Sequence, residues 1–259
     1  MAEHPLFSII TVTYNAESTL PVTLESVKRQ TYRDFEYLII DGASKDATLD
    51  QAKNSGIQEL LVLSRPDHGI YDAMNRGLDM ASGDYVIFLN SGDRFHADDV
   101  LEKYAEAIKA NNKPGIVYGQ TELMDNVGRS LGPRHLTAPE VLTLESFAEG
   151  MLVCHQAMAV LKRITSPYNL KYRFSADYEW VVRCLQHSRC NVYIPCTVVD
   201  YLYEGATTAN RRRSLYERFR IMAFYYGLLP TVVRHLAFIP RFVGHKLKLG
   251  KIQKQLDRN

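Results

Sequence analysis

Three short clusters in this chain of 259 residues set a carboxylate among polar neighbours, and a fourth pairs an imidazole with an amide, in patterns that could do chemistry. Asn90-Ser91-Gly92-Asp93 offers oxygen ligands in a row. Mg2+ and Mn2+ prefer oxygen and often take one or two carboxylates plus substrate phosphates. Asp93 could supply one ligand, and Asn90 a neutral oxygen or a sugar contact. The same tetrapeptide also reads as an ordinary turn with Asp93 capping a helix. Asp41 precedes Gly42. Its carboxylate could accept the N–H of a uracil ring, while Asp-Gly is equally a common turn pair. Asp177, after Phe174-Ser175-Ala176, could act as a general base if it reaches its proton within hydrogen-bond distance. As a helix N-cap it would be structural. His155-Gln156 could contact a hydroxyl-rich acceptor, or His155 could be a satisfied core histidine.

These clusters need elements to position them. Three apolar runs, Phe7 to Val12, Phe35 to Ile40 and Tyr85 to Leu89, each end abruptly in polar residues. The polar tips are Thr13-Tyr14-Asn15, Asp41-Gly42-Ala43-Ser44-Lys45-Asp46 and Asn90 to Asp93. Helix-like segments lie between the runs, so the runs read as parallel strands joined by crossovers. Ligands bind outside the carboxyl ends of such strands, which turns all three tips toward one crevice. That crevice holds at least two carboxylates and no Gly-rich phosphate loop. It suits a ligand with a base, a ribose and metal-bridged phosphates.

Leu20, Leu24 and Val27 recur at helical spacing, with Pro21 in the first turn where it is tolerated. Leu60 to Leu63 reads as a strand, and Ile70 to Ala81 as a helix closed by Ser82-Gly83, with Gly83 as its C-terminal cap. Ala97 to Lys109 reads as a helix and Ile116 to Tyr118 as a strand. The alternation predicts an α/β domain with a mostly parallel sheet and flanking helices. Beyond Leu123 the expected elements are a strand over Met151 to Leu161, a helix over Asp177 to His187, and strands over Val192 to Ile194 and Thr197 to Tyr203. The expected division is residues 1–122 as a nucleotide-binding half, 123–209 as an acceptor-binding half of the same domain, and 210–259 as basic amphipathic helices.

Composition sets the outer bounds. The chain is 46% hydrophobic and 23% charged, an ordinary globular balance. Met1-Ala2-Glu3-His4-Pro5 runs straight into the first strand without signal-peptide character. No apolar run reaches the ~18 residues of a spanning helix. The expected location is the cytoplasm, peripheral to the inner face of the cell membrane. Cys154, Cys184, Cys190 and Cys196 match no zinc spacing and read as free thiols. Neither G-x-S-x-G nor a Walker loop is present, which argues against an α/β-hydrolase or a nucleoside triphosphatase. Residues 211–259 hold 12 Lys and Arg against only Glu217 and Asp257, interleaved with aromatic residues such as Tyr216, Phe219, Phe224, Phe238 and Phe242. Lys246 to Lys254 continue the basic run, with Pro230 and Pro240 breaking the segment. This tail reads as an anchor to anionic lipid, with a pair of helices packed on the preceding domain and a solvated basic face as the compatible structural reading. Nucleic acid is the competing partner for a basic tail, but the acidic strand tips argue against it.

Five segments, in order, resemble the family 2 glycosyltransferases, which have a GT-A fold with a Rossmann-like nucleotide-binding half. Phe7 to Asn15 looks like that family's first strand. Asp41-Gly42-Ala43-Ser44-Lys45-Asp46-Ala47-Thr48 is similar to its D-G-x-S-x-D-G-T element. Pro66-Asp67-His68-Gly69-Ile70-Tyr71-Asp72-Ala73-Met74-Asn75-Arg76-Gly77 is similar to a segment of its bacterial surface-polysaccharide branch. Asn90 to Asp93 occupies the place of the D-x-D metal motif. Ala176-Asp177-Tyr178-Glu179 looks like the late E-D element that carries the catalytic base.

The resemblance implies an inverting transfer of sugar from a nucleoside diphosphate donor, a UDP-sugar, to a hydroxyl acceptor. A lipid-linked saccharide in surface polysaccharide assembly is the acceptor it implies. Thr13, Tyr14 and Asn15 would line the nucleotide site and Asp41 would hold the base. Asp67, Asn75 and Arg76 would lie under the donor, with Asn90 and Ser91 beside it. Asp93 would bind Mn2+ or Mg2+, Asp177 would deprotonate the acceptor, and His155 and Gln156 would face it. Asn90, Gly92 and Ala176 replace acids that many members carry. Asp177 can serve without an acid at 176, so the thinned metal motif alone makes a scaffold that binds nucleotide-sugar with weakened catalysis the alternative expectation. The Q-x-x-R-W motif of processive synthases is absent, which favours single addition.

Overall fold

The computed structural model describes residues 4–203 and 211–236. By internal contacts the chain divides into two units, Met1–Ser214 and Leu215–Asn259. The first unit is built on one nine-stranded sheet. Its parallel part comprises β1 (Phe7–Thr13), β2 (Phe35–Asp41), β3 (Leu60–Ser64) and β4 (Tyr85–Phe88), in the spatial order β3-β2-β1-β4. Every residue of β1 is buried, as a central strand covered on both faces requires. The crossovers are α1 (Leu20–Lys28), α2 (Thr48–Lys53) and α3 (Ile70–Met80). Because β2 and β4 flank β1 on opposite sides, the chain reverses direction across the sheet there, the switch point outside whose carboxyl ends sheets of this kind bind ligands.

Gly83 does not cap α3 in the left-handed conformation. The helix ends at Ala81 with extended geometry, and Gly83 is not among the residues with positive φ. A Cβ there would lie 2.7 Å from the Ser8 backbone nitrogen. The glycine is needed for close approach to β1, and Gly83 N–H donates to Ser8 Oγ at 2.8 Å.

The second half adds β5 (Arg94–Phe95), α4 (Val100–Ala110), β6 (Ile116–Met124), β7 (Ser130–Pro133), α5 (Leu144–Phe147), β8 (Met158–Leu161), α6 (Ala176–His187) and β9 (Asn191–Leu202). Strand β8 runs antiparallel between β4 and β6. The expected strand over Met151 to Leu161 is thus only its last four residues. A 3-10 turn, His155–Ala157, precedes them. Residues 153–157 are as buried as the strand itself, so hydrophobicity alone did not separate the two conformations. The two strands expected over Val192 to Tyr203 are one, β9. It pairs in parallel with β6 through two register shifts, and its exposed Pro195 falls at the first of them.

An aromatic stack ties α3, β4 and α6 together behind the crevice. Tyr168 stacks on Tyr71 and Trp180, with centroids 5.4 and 5.1 Å apart, and meets Phe88 edge-on. Each such pair adds about 0.5–1.5 kcal/mol beyond its buried area.

Helix α7 (Arg211–Tyr226) follows, and residues 228–236 are again helical after Gly227. In the second unit Ile221 and Met222 are buried, while Tyr216, Phe224 and Leu229 are exposed, the last two at 79% each. Phe238, Pro240, Phe242 and the basic run Lys246 to Lys254 lie outside the described residues. Among the described residues, no helix is long and apolar enough to cross a membrane.

Candidate active site

The tips of β1 and β2 are joined by a network centred on Asp41. Its carboxylate is fully buried and accepts from Thr13 Oγ1 (3.0 Å), Ser44 N–H (2.9 Å), Ser64 Oγ (2.7 Å) and Ser44 Oγ. Burial disfavours the charge, but these four donors outweigh it and hold the carboxyl below its usual pKa. Asn15 N–H donates to Ser44 Oγ at 2.8 Å, and Asn15 Oδ1 accepts from Lys45 N–H at 3.0 Å. Ala16 N–H donates to Thr48 Oγ1 at 2.8 Å. Asn15 and Ala43 adopt φ of 47° and 64°, a left-handed geometry that the paired loops must hold in place.

Tyr14 stands clear at 67% exposure. Asp67 reaches the same tip: its Oδ1 accepts from Gly69 N–H at 2.8 Å, and its Oδ2 would lie 2.6 Å from a Cβ on Gly42. Glycine at 42 is what lets this carboxylate approach. Tyr14, Gly42 and Asp67 therefore form a lip with an open aromatic face and a carboxylate.

The Asn90–Asp93 turn is anchored from α1. Thr23 Oγ1 donates to the Asp93 carbonyl at 2.7 Å and accepts from Gly92 N–H at 2.9 Å. Thr19 and Ser91 hydroxyls meet at 2.8 Å. Gly92 has φ of 96° and leaves no room for a Cβ beside Leu202. The Asp93 side chain turns inward and is 3% exposed. Leu202 N–H donates to its Oδ1 at 2.9 Å and Gln156 Nε2 to its Oδ2 at 3.1 Å. Burial raises its pKa to about 7 despite both donors.

Asn90 Oδ1 is buried with no hydrogen-bond partner. No group of three or more His, Cys, Asp or Glu among the described residues could hold a metal ion. One carboxylate plus an unsatisfied amide oxygen still fits a hard cation that takes its other ligands from phosphate and water.

Asp177 lies in the first turn of α6, where the helix dipole favours a negative charge. The N-cap position belongs to Ser175, whose hydroxyl contacts Ser214 instead of the helix amides. Tyr71 OH donates to Asp177 Oδ1 at 3.2 Å, and His155 Nδ1 lies 3.8 Å from Oδ2. Asn75 is tied to the loop before α6: Nδ2 donates one N–H to the Tyr168 carbonyl and Oδ1 accepts from Tyr168 N–H, which leaves its second N–H uncommitted by these two bonds. Arg76 pairs with Asp72 at 2.9 Å and donates to the Arg65 carbonyl.

Two consecutive residues thus bring the carboxylates of the two halves into one neighbourhood: His155 beside Asp177 and Gln156 on Asp93. Cys154 and Tyr201 sense both carboxylates: burial is the largest cause that raises each pKa, the Asp93 and Asp177 charges add to it, and the Arg134 cation opposes. Tyr71, Leu202 and Tyr201 received no role in the sequence reading. Tyr71 sits inside a quoted motif, which was a usable signal. Leu202 acts through its backbone, which no side-chain pattern reveals.

The model of glycosyl transferase family 2 matches residues 8–164. The chain is 36% identical over 212 residues to a PGL/p-HBAD biosynthesis glycosyltransferase of Mycobacterium tuberculosis, covering 80% of this chain and 77% of that protein. It is 29% identical over 192 residues to the amylovoran biosynthesis glycosyltransferase AmsB of Erwinia amylovora, covering 68% and 63%. Among solved structures it is similar to S. aureus TarS 1-349 in complex with UDP-GlcNAc, with a TM-score of 0.67 at 20% identity, over 90% of this chain and 73% of that one.

Proposed function

Because this chain belongs to glycosyl transferase family 2 and is a glycosyltransferase of GT-A fold, we propose that it moves one sugar from a UDP-sugar to a hydroxyl of a lipid-linked saccharide, with inversion. The relatives named for building PGL/p-HBAD and amylovoran support an acceptor of surface-glycan type. The neighbour bound to UDP-GlcNAc supports uridine diphosphate as the carrier. The observation that carries the reading is the convergence of Asp93 and Asp177 on the single turn His155–Gln156.

The nucleobase lies in this reading against Tyr14, with Asp41 and Asp67 beneath it and Thr13 and Asn15 holding the loop. Asn75 and Arg76 shape the donor floor through Tyr168 and Asp72, and Ser91 borders it. Asp177 takes the proton of the acceptor hydroxyl. The acceptor oxygen then bonds to the anomeric carbon from the face opposite the diphosphate, and the bond from that carbon to the diphosphate oxygen breaks. Asp93 and Asn90 would hold Mg2+ or Mn2+, which when bound supplies positive charge to the departing diphosphate. Gln156 orients Asp93, and the acceptor enters on the His155 side. The exposed Tyr216, Phe224 and Leu229, with the cationic residues around them, are suited to an anionic membrane surface where such an acceptor resides.

The test is a thermal-shift screen of nucleoside diphosphates with Mn2+, followed by UDP release from UDP-sugars in the presence of saccharide-lipid acceptors. Selective stabilisation by UDP is expected, since a ligand that binds only the folded state raises the melting temperature. Equal response to GDP and UDP would overturn the donor assignment. Binding without release would favour a nucleotide-sugar scaffold.

A further inference from the structure

We propose that His155 is a positioning residue for Asp177, a neutral imidazole whose Nδ1–H holds Oδ2 of the base while Tyr71 holds Oδ1. This inference rests on reading Asp177 as the base that deprotonates the acceptor.

His155 is 5% exposed, and neither ring nitrogen has a hydrogen-bond partner. Buried polar atoms are nearly always paired, so an imidazole with two unpaired nitrogens is unusual as a purely structural residue. Its nearest charged oxygen is Asp177 Oδ2, 3.8 Å from Nδ1. That distance is too long for a hydrogen bond, but catalytic contacts commonly tighten only when substrate is bound. The ring is held in place by the edge-to-face contact with Phe88, at 6.1 Å between centroids, and by the 3-10 turn that leads into β8. Oδ1 on the other side is occupied by Tyr71 OH at 3.2 Å.

The two donors come from opposite parts of the fold. Tyr71 belongs to α3 and His155 precedes β8. Together they would fix the carboxylate plane with a lone pair left for the acceptor proton. Burial first, and then the nearby Arg134 cation, oppose protonation of the imidazole, while Asp177 favours it; the balance lies below the ordinary histidine value. The ring is therefore neutral at neutral pH and carries a single N–H. On Nδ1 that N–H faces the base. The same neighbourhood contains Cys154, Tyr168 and Tyr201, which sense the Asp177 charge. A donor on Nδ1 would orient the carboxylate toward the acceptor without adding a positive charge to the site.

The test uses the full chain in two arms. In the first, nitrogen-15 histidine spectra report the tautomer directly and need no substrate. The neutral Nδ1–H form is expected for His155, with a changed signal in Asp177→Asn. In the second, UDP release is measured with UDP-GlcNAc or UDP-glucose as donor and octyl glucoside as hydroxyl acceptor. His155→Leu should lower kcat by about tenfold to a hundredfold, the range for losing an outer hydrogen-bonding partner. UDP affinity should not change. His155→Asn, whose Nδ2 falls near the Nδ1 position, should restore part of the rate. His155→Gln, which mimics Nε2, should not. Adding His155→Leu to Asp177→Asn should cost nothing further. An Nε2–H tautomer indifferent to Asp177→Asn overturns the inference even if neither donor is turned over. Full activity of Asp177→Asn would instead overturn the base assignment on which it rests.

Discussion

Asn75 and the backbone of Tyr168, 93 residues apart in the chain, exchange two hydrogen bonds, Nδ2 to the carbonyl at 3.0 Å and N–H to Oδ1 at 2.6 Å. This pairing fastens α3 to the loop before α6. It sets the height of Tyr168 between Tyr71 and Trp180, and hence the floor beneath Asp177.

Asn75→Ala leaves the Tyr168 amide and carbonyl without these partners. A loss of about 1–3 kcal/mol per unsatisfied buried group sets the scale. Urea unfolding should show a clear fall in midpoint. UDP affinity and acceptor-dependent turnover should both fall along with the midpoint, because the pairing supports the floor under the donor and under Asp177 alike. An unchanged midpoint with lost UDP binding would make Asn75 a direct donor contact.

Asp93 makes stability depend on pH in metal-free protein. Its folded pKa, about 7, lies above the ordinary 3.8. Between those values the folded chain keeps a proton that the unfolded chain has released. The stabilisation is full below pH ~4 and is lost as pH rises toward 7, by at most about 1.4 kcal/mol per unit. Asp93→Asn keeps the shape, and the Gln156 amide can turn to match the new NH2 group. Measured with chelator present, the stability of Asp93→Asn relative to the unsubstituted protein should rise from pH 5 to pH 8. Mn2+ at pH 8 should then stabilise only the chain with Asp93. A difference independent of pH would mean that the carboxyl titrates normally.

Gly83→Ala should destabilise by about 1–3 kcal/mol, as overpacking does. The new Cβ would press on Ser8 N and the Phe7 carbonyl carbon, backbone atoms of the fully buried β1. Gly83→Asn should be no milder, although asparagine tolerates left-handed geometry. If Asn rescues the fold in denaturant titration, the helix-cap reading returns.

Asp41→Asn disturbs four donors that converge on one carboxylate. The three hydroxyls can reverse and donate elsewhere, but Ser44 N–H cannot. A stability loss of about 1–3 kcal/mol is expected. Discrimination between UDP and GDP should weaken with it. Stability loss with base preference intact would confine Asp41 to anchoring the loop.

Full-length protein should sediment with phosphatidylserine-rich vesicles at low salt and be released at high salt, since each Lys or Arg near an anionic leaflet contributes about 1 kcal/mol. The double change Phe224→Ser and Leu229→Ser should weaken this binding without loss of UDP affinity. Substitution is a better probe than truncation near Asn210, because Ser214 contacts Ser175 beside the start of α6. Failure of the unsubstituted protein to bind such vesicles would leave the tail a structural element.

Strands β1, β2 and β4 were readable because each is a short apolar run stopped by polar tip residues. A strand buried on both faces must look that way whatever surrounds it. The helix α3 was readable for a similar local reason, since its buried Ala73, Met74, Gly77 and Leu78 recur at helical spacing. The second half was less legible. Residues 151–161 are apolar throughout, and only pairing with β4 and β6 decides which four of them form β8.

By itself, then, the sequence determined the family, the α/β class and which carboxylates stand at strand tips, because those follow from local periodicity and from motifs a few residues long. Tertiary structure alone decided how each polar side chain is spent. Asp41 accepts four hydrogen bonds within the protein, Asn75 is tied to the Tyr168 backbone, Asp93 is buried under Leu202 and Gln156, and His155 is left with two unpaired nitrogens beside Asp177. Those outcomes depend on partners up to 109 residues away in the chain, such as Leu202 on Asp93. Hydrogen bonding acts over about 3 Å of space without regard to sequence separation, so only the folded chain reveals it.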